Sequence, residues 1–213
     1  MKNWKRTFAI IWSGQFFSML SSSIVSYAVV FWLSLKTESA EVLAMAMLAT
    51  LLPFIVLGLF TGVFVDRWDR RRTMILADSF VAVCSAVLGL LFFLDMIEMW
   101  AIYLLLALRS AGSAFHTPAM QASVPLLAPE SELMRIAGIN QMIQSISNIA
   151  GPALGALFIT FLDMTYVMLM DVVGAAIACT SLLFVKIPNP EKKADAVRNV
   201  WLEIKEGVSH MLS

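Results

Sequence analysis

Six long apolar stretches dominate the chain, at Thr7–Leu35, Val42–Val65, Thr73–Leu94, Met99–Leu127, Ile136–Leu162 and Met164–Val185. Each exceeds the roughly 18 residues that a helix needs to cross the ~30 Å hydrocarbon core of a bilayer. Three carry one charge each, Asp78, Arg109 and Asp171, and the first and fifth carry none. A helix satisfies its own backbone polar groups in lipid, and the runs are far too long for the strands of a β-barrel. The pattern predicts an all-α membrane protein of six transmembrane helices. The first stretch is too long for the apolar region of a removable signal peptide and ends without a small-x-small cleavage site, so it reads as the first helix.

Composition agrees: 60% of the 213 residues are apolar and 14% charged, against about 45–50% and about 25% in a soluble domain. Charge position adds orientation. Of the 15 Lys and Arg residues, 13 fall in the N-terminal tail, the second-to-third loop, the fourth-to-fifth loop and the segment after the sixth span. Basic loops stay inside, so both termini are expected on the cytoplasmic side of the cell membrane. The net charge is zero and the basic residues follow topology without forming a patch, which excludes a nucleic-acid surface. Cys84 and Cys179 lie mid-span and read as small membrane residues rather than as a disulfide or metal site. No phosphate loop, zinc spacing or nucleophile elbow is present, so no enzyme and no cofactor is expected.

Residues 1–187 therefore read as one six-helix bundle and 188–213 as the start of a cytoplasmic linker. In that linker Val200, Trp201, Ile204, Val208 and Met211 recur at helical spacing, predicting an amphipathic helix on the membrane surface. The sequence ends inside it with no stop signal, which leads to the expectation of a longer natural chain.

The chemistry-bearing residues lie in four places. The second-to-third loop holds Gly62, Asp66, Arg67, Arg70 and Arg71, with Gly62 expected to allow close helix approach and Asp66 to pair with the arginines; a plain solvated loop is the alternative. Arg109 lies ~15 Å into the fourth span at about 1.5 Å per residue, near the bilayer centre. A charge there costs about 2.5–3.5 kcal/mol or more, so Arg109 must face protein or water. It reads either as a functional charge or as a structural partner of Asp171. His116, two turns on, fits a proton relay or a packing histidine, and Asp78 is expected to form a salt bridge with the arginine cluster. In the fifth span Gln141, Gln144, Ser145, Asn148, Gly151, Pro152 and Gly155 fall on one stripe, the amides fitting a cavity wall and the glycines a helix contact. Gln15, Ser18 and Ser22 form a similar stripe in the first span, where a cavity with nearby aromatics suits an amphipathic organic molecule.

Several of these strings resemble signatures of the major facilitator superfamily. Gly62, Asp66, Arg67, Arg70 and Arg71 match its loop pattern Gly-x-x-x-Asp-Arg-x-Gly-Arg-Arg, with Asp69 in place of a glycine. Arg109 and the Gly-containing run after it resemble the fourth-helix signature tied to proton coupling. Gly151, Pro152 and Gly155 match the antiporter pattern of the fifth helix, with Ser147 and Ala156 in place of glycines. A finer similarity, through Ile11–Gln15, Val65–Arg67, Arg109–Gly112 and Phe115–Ala119, is to the macrolide efflux group of drug:proton antiporters. The resemblance implies the N-terminal half of a transporter built from 3+3 inverted repeats. It implies a second six-helix half, a small-molecule drug or solute as substrate, protons as the coupled ion, the lipid bilayer as surroundings, and alternating access about a midplane site. A facilitator or importer of another solute, and a non-transporting half-length scaffold, are the competing readings.

Overall fold

The computed structural model describes residues 4–185 and 187, apart from the side chains of residues 63 and 66. The expected linker and its amphipathic helix lie outside the described residues. Among the described residues six helices are formed: α1 (Trp4–Thr37), α2 (Ala40–Arg67), α3 (Arg70–Phe93), α4 (Met99–Leu127), α5 (Leu133–Phe161) and α6 (Met164–Leu183), with one 3-10 turn at Glu130–Glu132 leading into α5. Five are long and apolar enough to cross a membrane. The other, α4, has the length at 29 residues but carries Arg109, His116 and several hydroxyl side chains. α1, α2, α3 and α5 begin two or three residues before their apolar stretches, in the polar margins, whereas α4 coincides with its stretch and α6 stops two residues short. Ser39 caps α2 by accepting from the Val42 amide at 3.4 Å, and Asp69 caps α3 by accepting from the Arg72 amide at 2.8 Å.

Lipid supplies no hydrophobic force between helices, so shape and polar bonds decide which neighbours pack. The main contacts join α1 with α5 and α6, α3 with α4 and α6, and α2 with α4. Exchanging α1–α3 for α4–α6 leaves this pattern unchanged: α1 against α5 becomes α4 against α2, and α1 against α6 becomes α4 against α3. Because each half has three spans, α4 runs opposite to α1, so the two three-helix units are inverted copies in their packing. The helices follow the order α5, α1, α6, α3, α4, α2, which leaves α2 and α5 as thinly covered edges. Leu51, Leu52, Ile55 and Leu59 on α2 all point outward, as apolar side chains do toward lipid.

Two apolar cores close the bundle. One, near the N-terminal end of α1, gathers Ile11, Trp12, Met74, Met120, Ile136 and Leu182. The other, near its C-terminal end, gathers Val29, Leu33, Leu88, Ile102, Val167 and Met168. The polar residues of the spans are concentrated between them.

The seam between α1 and α5 is tight enough to require glycine. A Cβ at Gly155 would lie 3.0 Å from the Ile24 carbonyl oxygen and 3.1 Å from the Ala28 amide nitrogen, and backbone cannot move aside as a side chain can. Gly58 on the exposed face of α2 has open space around it. Gly155→Val is therefore expected to destabilise the bundle by about 1–3 kcal/mol, the usual cost of overpacking, and Gly58→Val to cost far less. Thermal unfolding of both variants in detergent, followed by exposure of the Cys84 thiol, checks the difference.

Candidate functional site: two buried polar layers and a cleft

The charge at the middle of α4 dictates the first layer. Arg109 can enter the bilayer only with a counter-ion and a full set of acceptors, and α6 brings Asp171 to it as a direct ion pair, with side chains 5% and 1% exposed. Asp171 also accepts from Ser22 Oγ at 2.5 Å, Ser85 Oγ at 2.6 Å and Ser21 Oγ at 3.4 Å. Arg109 Nη1 donates to Ser85 Oγ, and Nη2 to the Ser22 carbonyl at 3.4 Å. One neutral cluster thus ties together α1, α3, α4 and α6.

A second layer lies toward the N-terminal end of α1. Asp78 of α3 is 7% exposed and accepts from Gln15 Nε2 at 3.3 Å and Ser18 Oγ at 3.2 Å. His116 of α4 places Nε2 2.8 Å from Gln15 Oε1 and 3.5 Å from Asp78 Oδ1. The salt bridge expected between Asp78 and the arginine cluster is not the arrangement found. Asp78 points inward, between α1 and α4. The two layers repeat in register, since Gln15 and Ser22, Asp78 and Ser85, and Arg109 and His116 are each seven residues apart. That is two turns of helix, or about 10 Å.

His116 also forms part of a cleft of about 430 Å³ between α4 and α5, whose walls include Met19, Met120, Asn140, Gln141 and Gln144. This is the gap left where α4 and α5 barely touch. Of the expected cavity residues, Gln141 and Gln144 line it, and Asn148 lies exposed one turn away, accepting from Gln144 Nε2 at 3.2 Å. Gln15 and Ser18 are instead buried against Asp78, and Ser22 is committed to Asp171, because each finds a charged partner inside the bundle. The single stripe expected on α5 divides in two: Gly151 and Gly155 are buried toward α1, beside Ser147 from outside the stripe, while Gln141, Gln144 and Asn148 stay exposed and Ser145 is half-buried. Pro152 is half-buried within the helix.

In the first turn of α3, Arg71 crosses to the end of α6, donating from Nε to the Leu182 carbonyl at 2.7 Å and from Nη2 to the Leu183 carbonyl at 2.9 Å. It thereby bonds carbonyls of the last turn of α6, of which the Leu182 carbonyl also accepts from the Val185 amide at 3.3 Å. Arg70 is buried and Arg67 exposed. Gly62, expected to permit close helix approach, has open space around it among the described residues, because α2 is an edge helix. Asp69, in place of the glycine of the resembled pattern, is the cap of α3. Sequence reasoning missed Ser85, for which the seven-residue register was the available signal, and Ser21, which falls outside that register. It also missed the bond from Trp12 Nε1 to Asn140 Oδ1 that joins α1 to α5 beside the cleft, which no local pattern announces.

The profile of the Major Facilitator Superfamily matches residues 11–212. The chain belongs to this superfamily. Among its similar relatives is Macrolide efflux protein A of Streptococcus pyogenes, 41% identical over 208 residues that cover 97% of this chain and 51% of that protein. Macrolide efflux protein A of Enterococcus faecalis is 40% identical over 172 residues, covering 80% of this chain and 53% of that one. Multidrug efflux pump Tap of Mycobacterium bovis is 31% identical over 143 residues, 64% of this chain and 33% of that one. The chain spans about half the length of the macrolide efflux relatives it matches. As a superfamily member with helices suited to the bilayer, it is a multi-pass protein of the cell membrane.

The ion pair at the centre of this superfamily half has a measurable signature. Removing one partner of a buried pair strands the other and costs about 3–5 kcal/mol, whereas replacing both with apolar residues costs much less. The expectation is that Asp171→Leu and Arg109→Leu each lower the detergent unfolding temperature sharply. The double variant should unfold at a higher temperature than either single one.

Proposed function

We propose that the chain is the N-terminal half of a proton-coupled exporter of macrolide-like or other amphipathic drugs, working by alternating access. In this reading residues 1–187 are one bundle, and 188–213 begin a cytoplasmic linker to a second six-helix half, covalent or separate. Both termini are cytoplasmic. The cleft then opens on the cytoplasmic side, where a drug would be loaded, and the thin edges α2 and α5 flank the face that the second half covers.

The roles divide by layer. Gln141 and Gln144, with the adjacent Asn148, offer neutral polar groups to a ligand whose apolar parts meet Met19 and Met120, a lining suited to large amphipathic molecules. Arg109, held by Asp171, tunes a nearby proton site. Asp66, Arg67, Arg70 and Arg71 bias the equilibrium between inward- and outward-facing states, and the Arg71 link to the end of α6 makes that loop sensitive to helix movement. Gly151, Pro152 and Gly155 provide the close, kinkable α1–α5 seam of an antiporter.

The observation that carries this reading is the 41% identity to Macrolide efflux protein A along nearly the whole chain, joined to a cleft walled by α4 and α5. The test is accumulation of a labelled macrolide in cells expressing the chain alone and joined to a six-helix second half, with and without a protonophore. Lowered accumulation with the joined protein, abolished by the protonophore, is the expected result. Unchanged accumulation in both forms would remove the macrolide assignment.

A further inference from the structure

The lower polar layer carries a charge imbalance that the upper one does not. Arg109 and Asp171 sum to zero. Asp78 accepts from Gln15 and Ser18, which are neutral, so as a carboxylate it leaves the layer with one uncompensated negative charge between membrane helices. A lone charge in such surroundings is unfavourable, and one proton removes it. His116 is the group placed to take that proton. Its Nε2 faces Gln15 Oε1 at 2.8 Å, and Gln15 Nε2 in turn donates to Asp78 Oδ2, so the amide relays one hydrogen-bonded chain from ring to carboxylate. With Nε2 donating to Gln15, Nδ1 is the ring atom left to accept a proton. His116 also borders the cleft, which gives that proton a route.

We infer that His116 and Asp78 form a proton-accepting site in the wall of the cleft, separate from the Arg109–Asp171 pair and two helical turns from it. A hydronium ion in the cleft transfers its proton to Nδ1 and leaves as water. The imidazolium then stands 3.5 Å from Asp78 Oδ1 as its counter-ion, and release reverses the step. Charge on the cleft wall thereby changes by one unit where a ligand would sit, so protonation and ligand occupancy bear on the same side chain.

The surroundings isolate this pair from other titrating groups. Among the described residues, α1 faces it with Gln15 and Ser18, and α5 lines the cleft with amides, all neutral. On α4 the nearest charge is Arg109, already matched by Asp171. On α3, Arg70, Arg71 and Arg72 stand in the first turn, six to eight residues before Asp78, with Arg71 bonded to α6 carbonyls and Arg72 exposed, and on α2 the charged residues Asp66 and Arg67 are at the helix end. From α6 comes the Cys179 thiol, 3.7 Å from Ser79 Oγ. The assignment of this site as the coupling proton site rests on the proposed exporter function; its existence does not.

The experiment is a pH titration of the full chain in lipid nanodiscs, followed by 15N NMR of ring-labelled histidine. His210→Asn leaves His116 as the single histidine. In this background the ring is expected to take up one proton on acidification. Asp78→Asn should demand at least a tenfold higher proton concentration for the same charging, about 1.4 kcal/mol. Asp78→Glu should recover most of the loss, and Glu98→Gln in a distant loop should change nothing. Gln15→Leu, which removes the relay, should also shift the midpoint, and it provides a reading if Asp78→Asn does not fold. A ring that stays neutral at pH 5, or a midpoint indifferent to both Asp78→Asn and Gln15→Leu, overturns the site. The titration uses no drug. An Asp78-dependent midpoint with no macrolide export retains the proton site and rejects the exporter reading, and the reverse pair of results does the opposite.

Discussion

A guanidinium near the middle of a membrane helix is the constraint from which the rest of this bundle follows. Arg109 has to be matched, and Asp171 with three serine hydroxyls matches it by drawing α1, α3 and α6 around α4. Apolar side chains could not specify that grouping, since lipid solvates them as well as a neighbouring helix does. The four helices joined by the cluster are the inner ones of the packing order, while α2 and α5, which contribute nothing to it, are the edges. The same arrangement that neutralises the charge therefore also decides which two helices remain thinly covered and where the cleft opens.

The second polar layer repeats the first with a different outcome. Along α1, α3 and α4 the polar positions recur every seven residues, so both layers draw on the same helix faces. In one, cation and anion cancel and four helices close over them. In the other, α6 supplies no carboxylate, the partner of Asp78 is a titratable ring, and the gap beside α5 reaches that ring. Inverted packing of the two three-helix units places the loosely joined pair α4 and α5 opposite α1 and α2, which also touch sparingly. A protein that must expose an interior site needs such weakly joined seams.

Much of this was legible in the residues. Run length located six helices to within a few residues, depth alone made Arg109 exceptional, and Asp171 was the carboxylate at matching depth on another span. The superfamily followed from the ordered loop and α5 patterns, which its profile bears out. What failed was the direction in which a polar residue points. Asp78 is two turns from the arginines along α3, and linear distance suggested that partner, whereas the helix faces α1 and α4 at that level. Gln15 and Ser18 share a stripe with Ser22, yet a stripe facing a cavity and a stripe facing a buried carboxylate have the same period. Gly62 matches its pattern but sits on an edge, where close approach has no neighbour to serve.

The polar interior is divided into a closed ion-pair layer and an open layer reached from the cleft. Thiol labelling in sealed inside-out membrane vesicles, with a membrane-impermeant maleimide, tests it most directly. In a background with Cys84 and Cys179 replaced by Ala, single cysteines at Gln144 and at Ser21 are compared. Gln144 is exposed beside the cleft, and Ser21 is 8% exposed in the closed layer. Rapid labelling of Gln144→Cys and little or none of Ser21→Cys is the expected result. Equal labelling of both would show that water reaches the Arg109–Asp171 layer and that the interior is not divided in this way.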